Sequence, residues 1–148
     1  MLITVRDLLK VKGDDLWYVT PDTTVFDALQ TLAEKDIGAL LVLDGEKIAG
    51  IISERDIVRK IGVHETYSLD TPVSHFMTKD VFTINPKKTI EDCMGMMTEH
   101  RIRHLPVVEK DKLAGLVSIG DVVKAIITSR EFTIEQLQKY ITGDGYSR

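Results

Sequence analysis

The chain repeats itself. Residues 19–61 align with residues 84–126 without a gap, at a constant offset of 65, and 14 of the 43 positions are identical. Pro21 meets Pro86, Thr24 meets Thr89, Gly50 meets Gly115 and Asp56 meets Asp121. Many of the other positions exchange one apolar residue for another, as in Ile48/Leu113, Ile51/Leu116 and Ile52/Val117. A register that holds through every element is a duplicated supersecondary unit, and such a unit buries its apolar face by packing on a neighbour. A fainter echo precedes each copy: Val5-Arg6-Asp7-Leu8-Leu9 resembles Val73-Ser74-His75-Phe76-Met77, at an offset of 68.

Each copy reads as β-α-β-β-α. A short extended piece (Trp17–Thr20; Val81–Ile84) precedes Pro and Thr, with Thr24 and Thr89 as helix N-caps. Apolar residues then recur at helical spacing: Val25, Ala28, Leu29 and Leu32 in one copy, Ile90, Cys93, Met94 and Met97 in the other. Two strands follow, Ala39–Leu43 with Ile48–Ile52, and Leu105–Val108 with Leu113–Val117, each pair closed by a tight turn. A final helix starts at Ser53 or Ser118. The expected class is α+β, two tandem βαββα repeats packed about a pseudo-two-fold axis. The expected divisions are 1–65, 66–128 and a tail, 129–148. In that tail Thr133-x-x-Gln136 predicts a short C-terminal helix ending at Gly143.

Composition excludes several roles. The net charge of −4 lacks the positive footprint that general nucleic-acid or membrane-surface binding needs. One cysteine, Cys93, permits neither an internal disulfide nor a Cys-paired zinc site. The charged N-terminus is no signal peptide and the longest apolar run, Ala39 to Leu43, cannot span a bilayer, so a reduced, soluble, cytoplasmic protein is expected. No nucleophile elbow, Walker loop, dinucleotide glycine fingerprint or metal-ligand spacing is present, which speaks against an enzyme. Cys93, the methionines and Trp17 are expected in the core.

The sharpest motif occurs twice: Gly50-Ile51-Ile52-Ser53-Glu54-Arg55-Asp56 and Gly115-Leu116-Val117-Ser118-Ile119-Gly120-Asp121. Ser-x-x-Asp ahead of an apolar helical run is close to a capping box, a purely structural device. The same strand-to-helix turn directs free N–H groups outward and favours an anion. An Asp there repels phosphate yet accepts both hydroxyls of a ribose. A second feature is the basic cluster His100-Arg101-Ile102-Arg103-His104; its first-copy counterparts include Gly38 and Ala39, so the fold does not require the charge. Arg103 and His104 are therefore candidates for phosphate contact.

The doubled unit, its Gly-x-x-Ser-x-x-Asp ending, the His104-Leu105-Pro106-Val107 strand and the Val73-x-x-Phe76-Met77-Thr78 lead-in resemble a CBS-domain pair, the Bateman module, over about residues 4–128. The resemblance implies a regulatory module that binds AMP, ADP, ATP, NAD(H) or S-adenosylmethionine in clefts between the copies and signals to a partner. It implies that Asp56 and Asp121 hold ribose, that Ser53 and Ser118 contact ribose or phosphate, and that Thr20 and Asn85 lie close by. Backbone at Gly38, Ala39 and Leu40, and at Arg103, His104 and Leu105, would read the adenine edge; Arg55, Pro106 and Ile119 complete the set. Gly120 replaces Arg55 and Asn85 replaces Thr20, so unequal sites are expected. The family's habit of pairing implies a homodimer. The rival readings are a structural dimerisation module with nothing bound and an adaptor for a separate enzyme or transporter.

Overall fold

The computed structural model describes residues 2–13, 15–63 and 65–129; the expected C-terminal helix lies outside them. In chain order the elements are α1 (Val5–Lys12), β1 (Tyr18–Val19), α2 (Val25–Lys35), β2 (Ala39–Asp44), β3 (Lys47–Ser53), α3 (Glu54–Val63), a 3-10 turn (Val73–His75), α4 (Ile90–His100), β4 (His104–Glu109), β5 (Lys112–Ser118) and α5 (Ile119–Thr128). Both copies are β-α-β-β-α in outline, with the helix starts where the Thr and Ser caps predict. Thr24 Oγ1 accepts from the Asp27 amide, and Thr89 forms a full capping box with Asp92.

The chain divides into two compact units: Trp17–Val81, and the segment before Trp17 joined to the chain from Phe82 on. The cuts differ from the repeat boundaries because each lead-in packs on a copy it does not directly precede. In the first-repeat unit β1 runs parallel to β2, which pairs antiparallel with β3. Val25, Ala28 and Leu32 of α2 and Ile57 of α3 close on Leu40, Val42 and Ile52, and Phe76 of the second lead-in completes the core. In the second-repeat unit β4 and β5 pair in the same register, and α4 and α5 cover them with Ile90, Met94, Met97 and Ile126. The expected extended piece Val81–Ile84 forms no strand here: only Ile84 bridges, in parallel, to Val107. That bridge occupies the place of Val19↔Val42 in β1–β2.

The lead-ins dock in matching fashion. Val5 N–H donates to the Lys88 carbonyl, Arg6 N–H to Pro86 and Ile90 N–H to Ile3; in the other unit Val73 donates to Thr23, Ser74 to Pro21 and Val25 to Thr71. Side chains follow the same rule. Leu9 lies over Gly115 and Met77 over Gly50, each so close that a Cβ would fall within 2.8 Å of it. The repeated glycine of the motif therefore serves a close approach of chain.

After these shared contacts the lead-ins diverge. Thr4 and Asp7 form a capping box, and α1 continues to Lys12. The second lead-in has Pro72 and His75 at those places and cannot form the box. Its helical turn stops at His75, and Thr78 exchanges two backbone hydrogen bonds with Ile51 at 2.9 and 3.0 Å.

Two expectations concern the core. Cys93, Met94 and Met97 are buried as read, and burial pushes the Cys93 thiol up to about 12. Trp17, expected inside, is 38% exposed with the Lys35 ammonium 4.1 Å above its ring. It precedes a strand only two residues long, of which Val19 alone faces inward.

Candidate functional site

In each unit the hairpin register sets the start of one strand beside the end of the other. Ala39 pairs with Ser53, and His104 with Ser118. The helix that follows is tied down at its first residue: Glu54 N–H donates to the Gly38 carbonyl at 3.2 Å, and Ile119 N–H to the Arg103 carbonyl at 2.8 Å. So Gly38, Ala39, Ser53 and Asp56 are neighbours in one unit, and Arg103, His104, Ser118, Ile119 and Asp121 in the other. The side chains of Leu40 and Leu105 belong to the two cores, and Ala39 and Pro106, on the opposite strand faces, are buried as well. The Pro106 carbonyl accepts from Ile84 N–H.

Thr20 and Asn85 are exposed and hold the turns that lead into α2 and α4. Thr20 N–H donates to Thr23 Oγ1 at 3.1 Å, whereas Asn85 Oδ1 accepts from the Lys87 amide at 2.9 Å. Both serve as turn residues of the kind short polar side chains make. Arg55 is exposed on the first turn of α3, where α5 has Gly120. Arg103 is exposed, and among the described residues its guanidinium has no hydrogen-bond or ion-pair partner. His104 is half-buried at the start of β4.

The two aspartates differ. Both Ser hydroxyls cap as the structural reading expects: the Asp56 amide donates to Ser53 Oγ and the Asp121 amide to Ser118 Oγ, each at 3.1 Å. Asp121 Oδ2 returns the bond, accepting from Ser118 N–H at 2.9 Å, and also accepts from Lys12 Nζ at 2.8 Å. Burial raises the Asp121 carboxyl, but the Lys12 and Ser118 bonds outweigh it and hold the group below its usual value of 3.8. The contribution is present above that value and lost as pH falls through the lowered one. The Asp56 carboxylate is half-buried and, among the described residues, has no hydrogen-bond or ion-pair partner. No motif in the sequence points to Lys12. It lies 109 residues from Asp121, and only the docking of α1 on β5 and α5 joins them.

A duplicated α+β unit with a Ser-capped helix start after each hairpin defines a small, two-unit module. The chain belongs to the CBS domain family, whose description matches residues 10–63 and 73–128. It is 39% identical over 152 aligned positions to CBS domain-containing protein CBSX3, mitochondrial, of Arabidopsis thaliana, covering 97% of this chain and 73% of that one. A CBS-domain protein of Burkholderia ambifaria superposes with a TM-score of 0.79 at 46% identity, covering 88% of this chain and 96% of that one. CBSX2, solved in complex with AMP, superposes with a TM-score of 0.70 at 30% identity, covering 84% of this chain and 96% of that one. Among the described residues no helix is long and apolar enough to cross a membrane.

Proposed function

We propose that the protein is a regulatory module that binds an adenosine-containing ligand, such as AMP, ADP, ATP or NAD(H), and relays its presence to a partner without chemistry of its own. The observation that carries this reading is the unpartnered, half-buried Asp56 carboxylate one turn beyond the Ser53 cap, in a chain similar to one solved with AMP. A carboxylate in that position accepts from the two hydroxyls of a ribose, and the first N–H groups of the helix beside it favour phosphate. Arg103, exposed and unpartnered, supplies a charge for the phosphate in the second repeat. Ser53, Ser118, Thr20 and Asn85 flank the ligand, and strand-start backbone reads the base.

Calorimetry with AMP, adenosine and GMP tests this. AMP should bind far more tightly than GMP, and Asp56→Ala should weaken AMP by about 1.5–3 kcal/mol without unfolding the protein, the usual worth of a charged hydrogen-bond partner. Arg103→Ala should weaken AMP more than adenosine, and less so as salt rises. Equal affinities for AMP and GMP, or unchanged binding by Asp56→Ala, would reduce the motif to a helix cap.

A further inference from the structure

α1 ends on a carboxylate. The Lys12 ammonium donates to Asp121 Oδ2 at 2.8 Å and to the Leu116 carbonyl at 2.7 Å, so it is held at two points at the close of β5 and the start of α5. The side chains remain 34% and 27% exposed, a half-sheltered pair. Among the described residues nothing comparable reaches Asp56. The second lead-in leaves its helical turn at His75 and bonds to β3 through Thr78, and the residue at the offset of Lys12 is Asp80, of opposite charge. Two helix starts that match in register and in the Ser hydroxyl cap therefore present different carboxylates: one open, the other bonded to Ser118 N–H and to a cation.

We infer that Lys12 is a positioning residue that closes Asp121 to neutral hydroxyl donors, so that the first repeat's Asp56 holds ribose and the second repeat's Asp121 does so only when Lys12 is displaced. The inference rests on the ribose reading of the two aspartates. Its physical basis is an exchange of partners. A hydroxyl entering at Asp121 replaces an ammonium, so the carboxylate exchanges the Coulomb attraction of a full positive charge for the dipole of a neutral donor. A hydroxyl entering at Asp56 replaces only water. The lysine loses its anion in the exchange and keeps the Leu116 carbonyl, a weaker partner.

Adenosine is the probe, because it has no phosphate to attract Lys12. In an Asp56→Ala background, which leaves only the second repeat's carboxylate, Lys12→Met should raise adenosine affinity about five- to tenfold, or make binding detectable where it was not. Lys12→Arg, which keeps the cation, should retain the weak binding. With Lys12 present, adenosine affinity should rise with added KCl as the pair is screened; with Met it should be flat, which a merely structural role for Lys12 would not produce. Unchanged or weaker binding by Lys12→Met, or the same salt trend in both proteins, overturns the inference alone. Failure of the wild type to bind either adenosine or AMP overturns the ribose reading and this inference with it.

Discussion

At the scale of single residues, the repeat pairs look alike and work differently. Ser53 and Ser118 are equivalent caps, yet Asp56 keeps an open carboxylate while Asp121 gives its oxygen to Ser118 N–H and Lys12. Gly50 and Gly115 are also equivalent in sequence and unequal in tolerance. A Cβ at Gly50 would lie 2.6 Å from the Thr78 carbonyl oxygen, which is backbone held by two hydrogen bonds to Ile51. A Cβ at Gly115 would meet only the Leu9 side chain, 2.7 Å from Cδ2, and that side chain can change rotamer. Gly50→Ala should therefore destabilise by about 2–3 kcal/mol and Gly115→Ala by about 1 kcal/mol, within the usual range for overpacking. Urea unfolding of both variants checks the order, and equal losses would show that the Thr78 strand yields as easily as a leucine.

Among the elements, the two hairpin turns show how one residue type selects backbone geometry. Both loops have two central residues, since Asp44 pairs with Lys47 and Glu109 with Lys112. In the first turn Gly45 has φ of +65° and Glu46 does not enter the left-handed region, the pattern of a II′ turn with glycine leading. The second turn has no glycine, and Lys110 and Asp111 both take positive φ, +52° and +63°, as a I′ turn requires. Side chains are strained there. Replacing Lys110-Asp111 by Asn-Gly should stabilise the protein by roughly 0.5–1 kcal/mol. A raised urea midpoint is the expected result, and no gain would mean that the turn already relaxes into another form. The lead-ins teach a related lesson: Thr4-x-x-Asp7 caps a helix long enough to deliver Lys12, while Pro72 and His75 cannot.

Across the whole molecule, duplication accounts for most of the architecture, and exchanged lead-ins account for how each unit is closed. Val5 and Leu8 belong to the core of the second repeat, Val73 and Phe76 to that of the first. The outer faces of the final helices carry apolar residues that their own units do not cover: Val58 and Val63 on α3 are 70% and 76% exposed, and Ile127 on α5 is 65% exposed. Association through these helices is the expected outcome, because burying exposed apolar side chains against a second copy removes them from water. Light scattering should give about twice the 16.6 kDa of one chain, and Val58→Glu with Ile127→Glu should return the monomer. A wild-type mass of one chain at micromolar concentration counts against association.

The sequence alone determined whatever is local or periodic. Constant spacing of Pro, Thr, Gly and Asp revealed the duplication, apolar periods of 3.6 and 2 placed helices and strands, and short polar residues marked their caps, because these signals depend on neighbours a few residues apart. It also marked both hairpin turns, whose two-residue loops alone would pair Ala39 with Ile52 and His104 with Val117; a one-residue bulge between Val42 and Leu43, and between Val107 and Val108, is what brings Ala39 to Ser53 and His104 to Ser118. Tertiary structure decided what depends on distant partners. Trp17 lies outside because β1 is only two residues long, the Val81–Ile84 piece contributes one bridge rather than a strand, and each lead-in closes a copy it does not precede. The inequality of Asp56 and Asp121 belongs to the same class. A charge pair acts through space, and nothing in the order of residues places Lys12 beside a carboxylate 109 positions away until α1 docks on β5.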